Sequence, residues 1–146
     1  MEHNFEIVSY VGAKPLLFGM TVAQAESIVG PPLRTSINNL GEQNAQYKSF
    51  SIRYSSQHGA LAEVGFSTDA KVAIRGIDLF HDPEAFLKLI REESSPYESF
   101  GFVILLDLGI TLTGFHDNEA GQRAVTAFVR GRWDQAKVRF KRLSPP

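Results

Sequence analysis

The chain contains no cysteine. Disulfides, thiolate zinc sites, iron–sulfur clusters and thiol nucleophiles are therefore excluded, which fits a reducing compartment. It also has no excess of either charge: 15 Lys and Arg stand against 16 Asp and Glu, for a formal net charge of −1. This balance argues against a strongly basic nucleic-acid binder and against an acidic decoy for a basic partner. Long hydrophobic runs are missing too. The longest, Phe102 to Leu106, is far too short to cross a bilayer. The opening Met-Glu-His-Asn-Phe-Glu has no basic region followed by an apolar core, so no secretion signal is expected. The expected location is the cytoplasm, with no membrane and no nucleic-acid partner.

Catalytic signatures are equally scarce. There is no Gly-x-Ser-x-Gly elbow and no Gly-rich phosphate loop. His81, Asp82, Glu84, His116, Asp117 and Glu119 offer mixed nitrogen and oxygen ligands of the kind zinc or manganese accepts. Adjacent His and Asp point in different directions, however, and no helical His-x-x-x-His pair occurs. Surface caps and turns are the simpler reading of these residues. The local echo of Phe80-His81-Asp82-Pro83-Glu84-Ala85 in Phe115-His116-Asp117-Asn118-Glu119-Ala120 reads the same way. The expectation is a protein without catalysis, metal or cofactor. Two alternatives stand beside it: a metal-dependent hydrolase using the His-Asp pairs, and a small-ligand-binding domain.

What is present is ordinary globular composition, 43% hydrophobic and 21% charged over 146 residues, enough for one domain with its own core. Thr21 and Gln24 form a capping-box pattern, and Val22, Ala25, Ile28 and Val29 then share one helical face. Gly30 supplies a left-handed stop, and Pro31-Pro32 cannot continue the helix. A first strand is expected over Glu6–Tyr10. Arg34 to Ala45 is polar and reads as a connection with a short strand at its start. Phe50, Ile52 and Tyr54 alternate with Ser49, Ser51 and Arg53, predicting a half-buried strand over Tyr47–Tyr54 that returns through Leu61–Phe66.

A further strand is expected over Val72–Phe80, with Gly76 as a bulge. Asp82 as N-cap and Pro83 at the first helical position predict a second helix, with Phe86, Leu87, Leu89 and Ile90 buried and a stop at Ser94-Ser95-Pro96. Phe100–Leu106 and Ile110–Phe115 flank the turn Asp107-Leu108-Gly109 as a hairpin whose first arm reads as fully buried. Val125, Phe128, Val129, Trp133 and Ala136 fit a helical stripe, yet Ala124–Val129 also holds β-branched and aromatic residues between Gly121 and Gly131; of the two readings, helix or strand, the strand is preferred, followed by a short helix over Trp133–Val138. The basic residues Lys137, Arg139, Lys141 and Arg142 read as a solvated face.

The order strand, helix, hairpin occurs twice. The expected fold is therefore α+β: an antiparallel sheet from two strand-helix-hairpin units, about 16–67 and 72–116, with helices packed on one side and a C-terminal extension over 117–146.

Leu17-Phe18-Gly19-Met20-Thr21 through Gly30-Pro31-Pro32, followed by a hairpin, resembles two groups. One is the β-lactamase-inhibitor-protein-like and outer-membrane-assembly-lipoprotein-like units, with their Gly-Met-Thr helix and Gly-Pro stop. The other is the set of small bacterial immunity proteins that neutralise toxins. The motif content spans about a third of the chain. The missing cysteines and signal peptide depart from the lipoproteins and from secreted inhibitors. The resemblance implies a cytosolic immunity protein that occludes a toxin domain. The expected partner-binding residues are Tyr47, Tyr54 and Trp133 as aromatic anchors, with Asp117 and Glu119 as loop acids.

Overall fold

The computed structural model describes residues 3–115, 123–134, 136 and 139–143. The first half runs β1 (Asn4–Val8), β2 (Gly12–Lys14), β3 (Leu16–Leu17), α1 (Val22–Val29), β4 (Arg34–Ile37), β5 (Gln43–Gln46), β6 (Phe50–Tyr54) and β7 (Leu61–Ser67). The second runs β8 (Lys71–Ile74), β9 (Ile77–Asp78), α2 (Ala85–Glu92), β10 (Tyr97–Ser99), β11 (Phe102–Leu105), β12 (Ile110–Thr113), β13 (Ala124–Phe128) and β14 (Lys141–Arg142). The small sheet has the order β3-β2-β1-β8-β9, and the large sheet β14-β10-β11-β12-β13-β7-β6-β5-β4. Among the described residues only β1 and β8 pair in parallel. The class is α+β, mostly antiparallel sheet with two short helices.

Each helix leads into a four-stranded meander, β4 to β7 after α1 and β10 to β13 after α2. The expectation of a hairpin after each helix is therefore too short in both halves. The second meander also needs β13, which lies in the segment read as an extension. The meanders meet at their last strands, where Phe66 faces Val125 and Val64 faces Ala127. Strand alternation turns Phe50, Ile52, Val64, Phe66, Ile110, Leu112, Val125 and Ala127 to one face, which carries the core. The small sheet packs there through Phe5, whose ring lies 4.9 Å from Phe50 and 5.1 Å from Phe66 between centroids. Both helices bury Ala25, Ala85 and Leu89 in the same core. Each buried Leu or Ile adds about 1.5–3 kcal/mol relative to exposure.

The first helix forms as expected. The Thr21 Oγ1 accepts from the Gln24 N–H at 3.1 Å, and the Gln24 side chain accepts from the Thr21 N–H at 3.0 Å. Gly30 follows with φ 81° and ψ −177°. That is a glycine conformation, but an extended one rather than the left-handed helical one expected.

Several expectations are corrected. The polar segment Arg34–Ala45 is a hairpin, because the Asn38 side-chain oxygen accepts from the N–H groups of Leu40 (2.9 Å) and Glu42 (3.0 Å) and builds the turn. Gly76 marks a turn rather than a bulge. Arg75 and Gly76 have φ of 50° and 80°, the consecutive positive values of a tight hairpin between β8 and β9. Phe100 and Gly101, at 49° and 84°, do the same between β10 and β11. Phe100 is thereby expelled from the strand to 87% exposure, and Phe102 is also exposed, so the arm read as fully buried is buried only over Val103–Leu105. The second helix starts two residues later than its Asp82-Pro83 signal. The Asp82 carboxylate caps a preceding turn, accepting from the Glu84 N–H at 2.9 Å. Leu87 lies on its outer side. Ala124–Phe128 is a strand, the preferred of the two readings of that segment. The described residues of Trp133–Val138 form turns rather than a helix, and Lys137 lies outside the described residues.

A Cβ at position 12 would lie 2.3 Å from the Leu16 carbonyl oxygen. Gly12→Ala is therefore expected to destabilise far more than Thr21→Ala, whose lost cap costs about 1 kcal/mol. Urea unfolding of the two variants checks the order.

Candidate binding surfaces

The face of the large sheet opposite the core carries a charged network. Arg53 on β6 faces Glu63 on β7, with Nη1 and Oε2 3.6 Å apart. After β13 the chain turns at Gly131 and sends Arg132 back over this face. Its Nε donates to Glu63 Oε1 at 2.8 Å, while Nη1 and Nη2 both donate to Glu42, the latter at 3.0 Å. The Asn38 amide donates to the same carboxylate at 3.0 Å. Glu42 and Glu63 are both buried, so their charges require these donors. The Arg132 hydrogen bonds hold the Glu42 carboxyl below its ordinary range, outweighing the opposing effect of burial. For Arg132, burial opposes the charge, but the Glu42 hydrogen bonds and the Glu63 charge keep it ionised.

A third buried acid, Glu93, follows α2. It accepts from the N–H groups of Asp107 (3.0 Å) and Leu108 (3.2 Å), and the Asp107 carboxylate accepts from the Ser94 N–H at 2.8 Å. Burial pushes the Glu93 carboxyl up. Tyr10 closes this corner, with its hydroxyl on the Leu106 carbonyl and the Arg130 guanidinium 4.1 Å above its ring. The arrangement fastens the β11–β12 turn to the end of α2.

The other prominent surface is the free edge of the large sheet. All of β4 is exposed, and among the described residues it pairs only with β5. Leu33, Ile37 and Leu40 are 75%, 73% and 73% exposed along this hairpin. Arg34 is the one charge on the strand itself.

The expected anchors separate. Tyr47 and Tyr54 are in the core, so neither ring is presented at the surface. Tyr47 stacks on Phe50 at 4.5 Å and donates to the Gly30 carbonyl at 2.8 Å. Burial raises Tyr54 to about 12. The alternation that makes β6 recognisable turns Tyr54 to the same side as Phe50 and Ile52, which is why residue type misled. Trp133 is half-buried over the outer face of the large sheet, edge-on to Phe128 with centroids 6.1 Å apart. Asp117 and Glu119 lie outside the described residues, as does His116.

Of the other metal-ligand candidates, His81 pairs with Asp78 at 3.0 Å, and Asp82 is engaged by Lys88. Among the described residues no three His, Asp or Glu side chains gather as a metal site. The Arg132 network was not visible beforehand, because its partners lie 69 and 90 residues away in the chain. The only local hint was Asn38 ahead of Glu42 in a turn-forming stretch.

Comparison of the chain with protein-family models, with curated proteins and with solved structures finds no match.

Because the Glu42 carboxyl titrates below its ordinary value of 4.5, the stability it adds is full above that pH and is lost as pH falls through its lowered value. Glu42→Gln should therefore cost about 1.5–3 kcal/mol at neutral pH. The gap to the parent protein should narrow in acid below about pH 4.5. Urea midpoints over a pH series measure both. Arg132→Ala leaves buried Glu42 with only the neutral Asn38 amide and Glu63 with only its longer contact to Arg53, and should cost about 3 kcal/mol.

Proposed function

We propose that this chain is a protein-binding module that engages its partner along the β4–β5 hairpin. One observation carries the reading: an edge strand, unpaired on its outer side among the described residues, with the largely exposed Ile37 at its end, Leu33 just before it and Leu40 in the turn that follows. Sheet edges are normally short, charged or covered because their free N–H and C=O groups invite another strand. Here the exposed apolar residues would add buried area to the backbone pairing that a partner strand makes. The resemblance of the first unit to immunity proteins makes that partner a toxin domain, neutralised by occlusion in the cytoplasm. On this reading the protein has no catalytic role and no cofactor. The two helix-plus-meander units are then read as copies of one ancestral unit meeting at the β7–β13 ladder.

A tagged chain used as bait in cells of its native organism, with mass spectrometry of the eluate, tests the reading. The expected result is a stoichiometric partner against which co-expression of this chain protects a susceptible cell. Ile37→Lys and Leu40→Lys should lose the partner while stability changes by no more than about 0.5 kcal/mol, as for other exposed positions. Capture and protection that survive both substitutions, or the absence of any stoichiometric partner, would overturn the proposal.

A further inference from the structure

The outer face of the large sheet carries a glycine that the backbone does not require. Gly65 sits in the middle of β7, paired with Ser51 on one side and Thr126 on the other. Its φ is not positive, so any residue could adopt its conformation. Glycine weakens a central strand, and in such a strand it often marks a place where another group approaches closely. A Cβ there would meet the Ser51 Oγ at 3.3 Å and the Thr126 Oγ1 at 3.4 Å, and nothing else within 4 Å. The missing side chain therefore leaves an open floor with a hydroxyl on either side.

Two adjoining hollows, of about 250 and 240 Å³, stand on this face and share Phe102, Thr111 and Trp133 as lining. The first is apolar, with Phe102, Ile104, Trp133 and Phe140 as walls. The second opens over Gly65, among the hydroxyls of Ser51, Thr111 and Thr126 and the Asn44 amide. Arg53 and Glu63 also line it. A concave site with apolar walls and a few polar groups at one end is the usual form of a small-molecule site. Leu33, Ile37 and Leu40 take no part in either hollow.

Charge decides the class of ligand. Arg132 donates to both Glu42 and Glu63, and Arg53 lies 3.6 Å from Glu63. The two cations balance the two anions, so a charged group entering the second hollow would find no counter-ion left for it. Arg139 is the charged residue lining the first hollow, and it is exposed, so water screens it. The hydroxyls and the amide both donate and accept hydrogen bonds, which suits a neutral head.

We propose that the two hollows together bind an uncharged amphiphile. Its chain would lie against Phe102 and Trp133, and its neutral hydroxyl or carbonyl head over Gly65.

Trp133 is the only tryptophan in the chain, so its emission reports on the site. Octanol, octanoate and octylammonium share one chain and differ in the charge of the head at neutral pH. Each is titrated into the intact protein below its micellar concentration. Octanol should change Trp133 emission saturably, with one equivalent bound. Both ions should bind at least about tenfold more weakly, because each brings an unpaired charge. Gly65→Val fills the floor and should weaken octanol while the urea midpoint holds or rises, since valine favours a strand. Phe102→Ser removes an exposed wall and should weaken octanol by roughly tenfold in a folded protein. No saturable change with octanol, an ion that binds as tightly as octanol, or octanol binding unaltered by either substitution would overturn the proposal. The comparison of heads needs no variant, and Phe102→Ser locates the site even if Gly65→Val fails to fold.

Discussion

The ladder between β7 and β13 is the interaction on which the rest of the molecule depends. It joins the last strand of one meander to the last strand of the other, so that two helix-plus-meander units share one sheet. On its inner side Phe66 meets Val125 and Val64 meets Ala127, in the middle of the core. On its outer side Gly65 meets Thr126. A slip of one residue would exchange these faces, moving small polar residues into the core and aliphatic ones into water. The ladder therefore fixes both the core and the outer surface in one step.

The two faces then follow different rules. The inner face is held by apolar burial, with the Phe5, Phe50 and Phe66 rings tying the small sheet to the large one. The outer face is held by charge. Arg132 reaches back from beyond β13 to Glu42 in the first half of the chain, and Glu63 lies between them. Buried carboxylates are costly when unpaired, so this network constrains the path of the chain after β13 more than weak surface ion pairs would. By fixing Arg132 it also holds the neighbouring Trp133 against Phe128 on the outer face. The free β4 edge has a different origin, since nothing among the described residues pairs beyond it.

Much of the fold was legible wherever a local signal carried it. The capping box at Thr21 and the alternation from Phe50 to Tyr54 each named an element correctly, whereas Ala124–Phe128 fitted a helical stripe as well as a strand and only the structure decided for the strand. The failures are also local in origin. Arg75-Gly76 and Phe100-Gly101 are tight hairpin turns whose first residue is an arginine or a phenylalanine rather than the usual Asn or Asp. They were accordingly read as strand. Arg34–Ala45 was read as a connection because its strands are polar, and polar strands suit an exposed edge. For the candidate sites, residue type was a poor guide. Tyr47 and Tyr54 fill the core, whereas the exposed aliphatic residues around the β4–β5 hairpin are Leu33, Ile37 and Leu40, unremarkable in the sequence.

The sequence by itself determined what depends on neighbours in the chain: where α1 starts and stops, which strands alternate, and which chemistries the missing cysteine removes. Tertiary structure alone decided the pairing of β7 with β13, the parallel contact of β1 with β8 and the meeting of Arg132 with Glu42. Those features join residues far apart in the chain. Their energy depends on which strands become neighbours and which side of the sheet the small sheet and helices cover, and no local pattern encodes either.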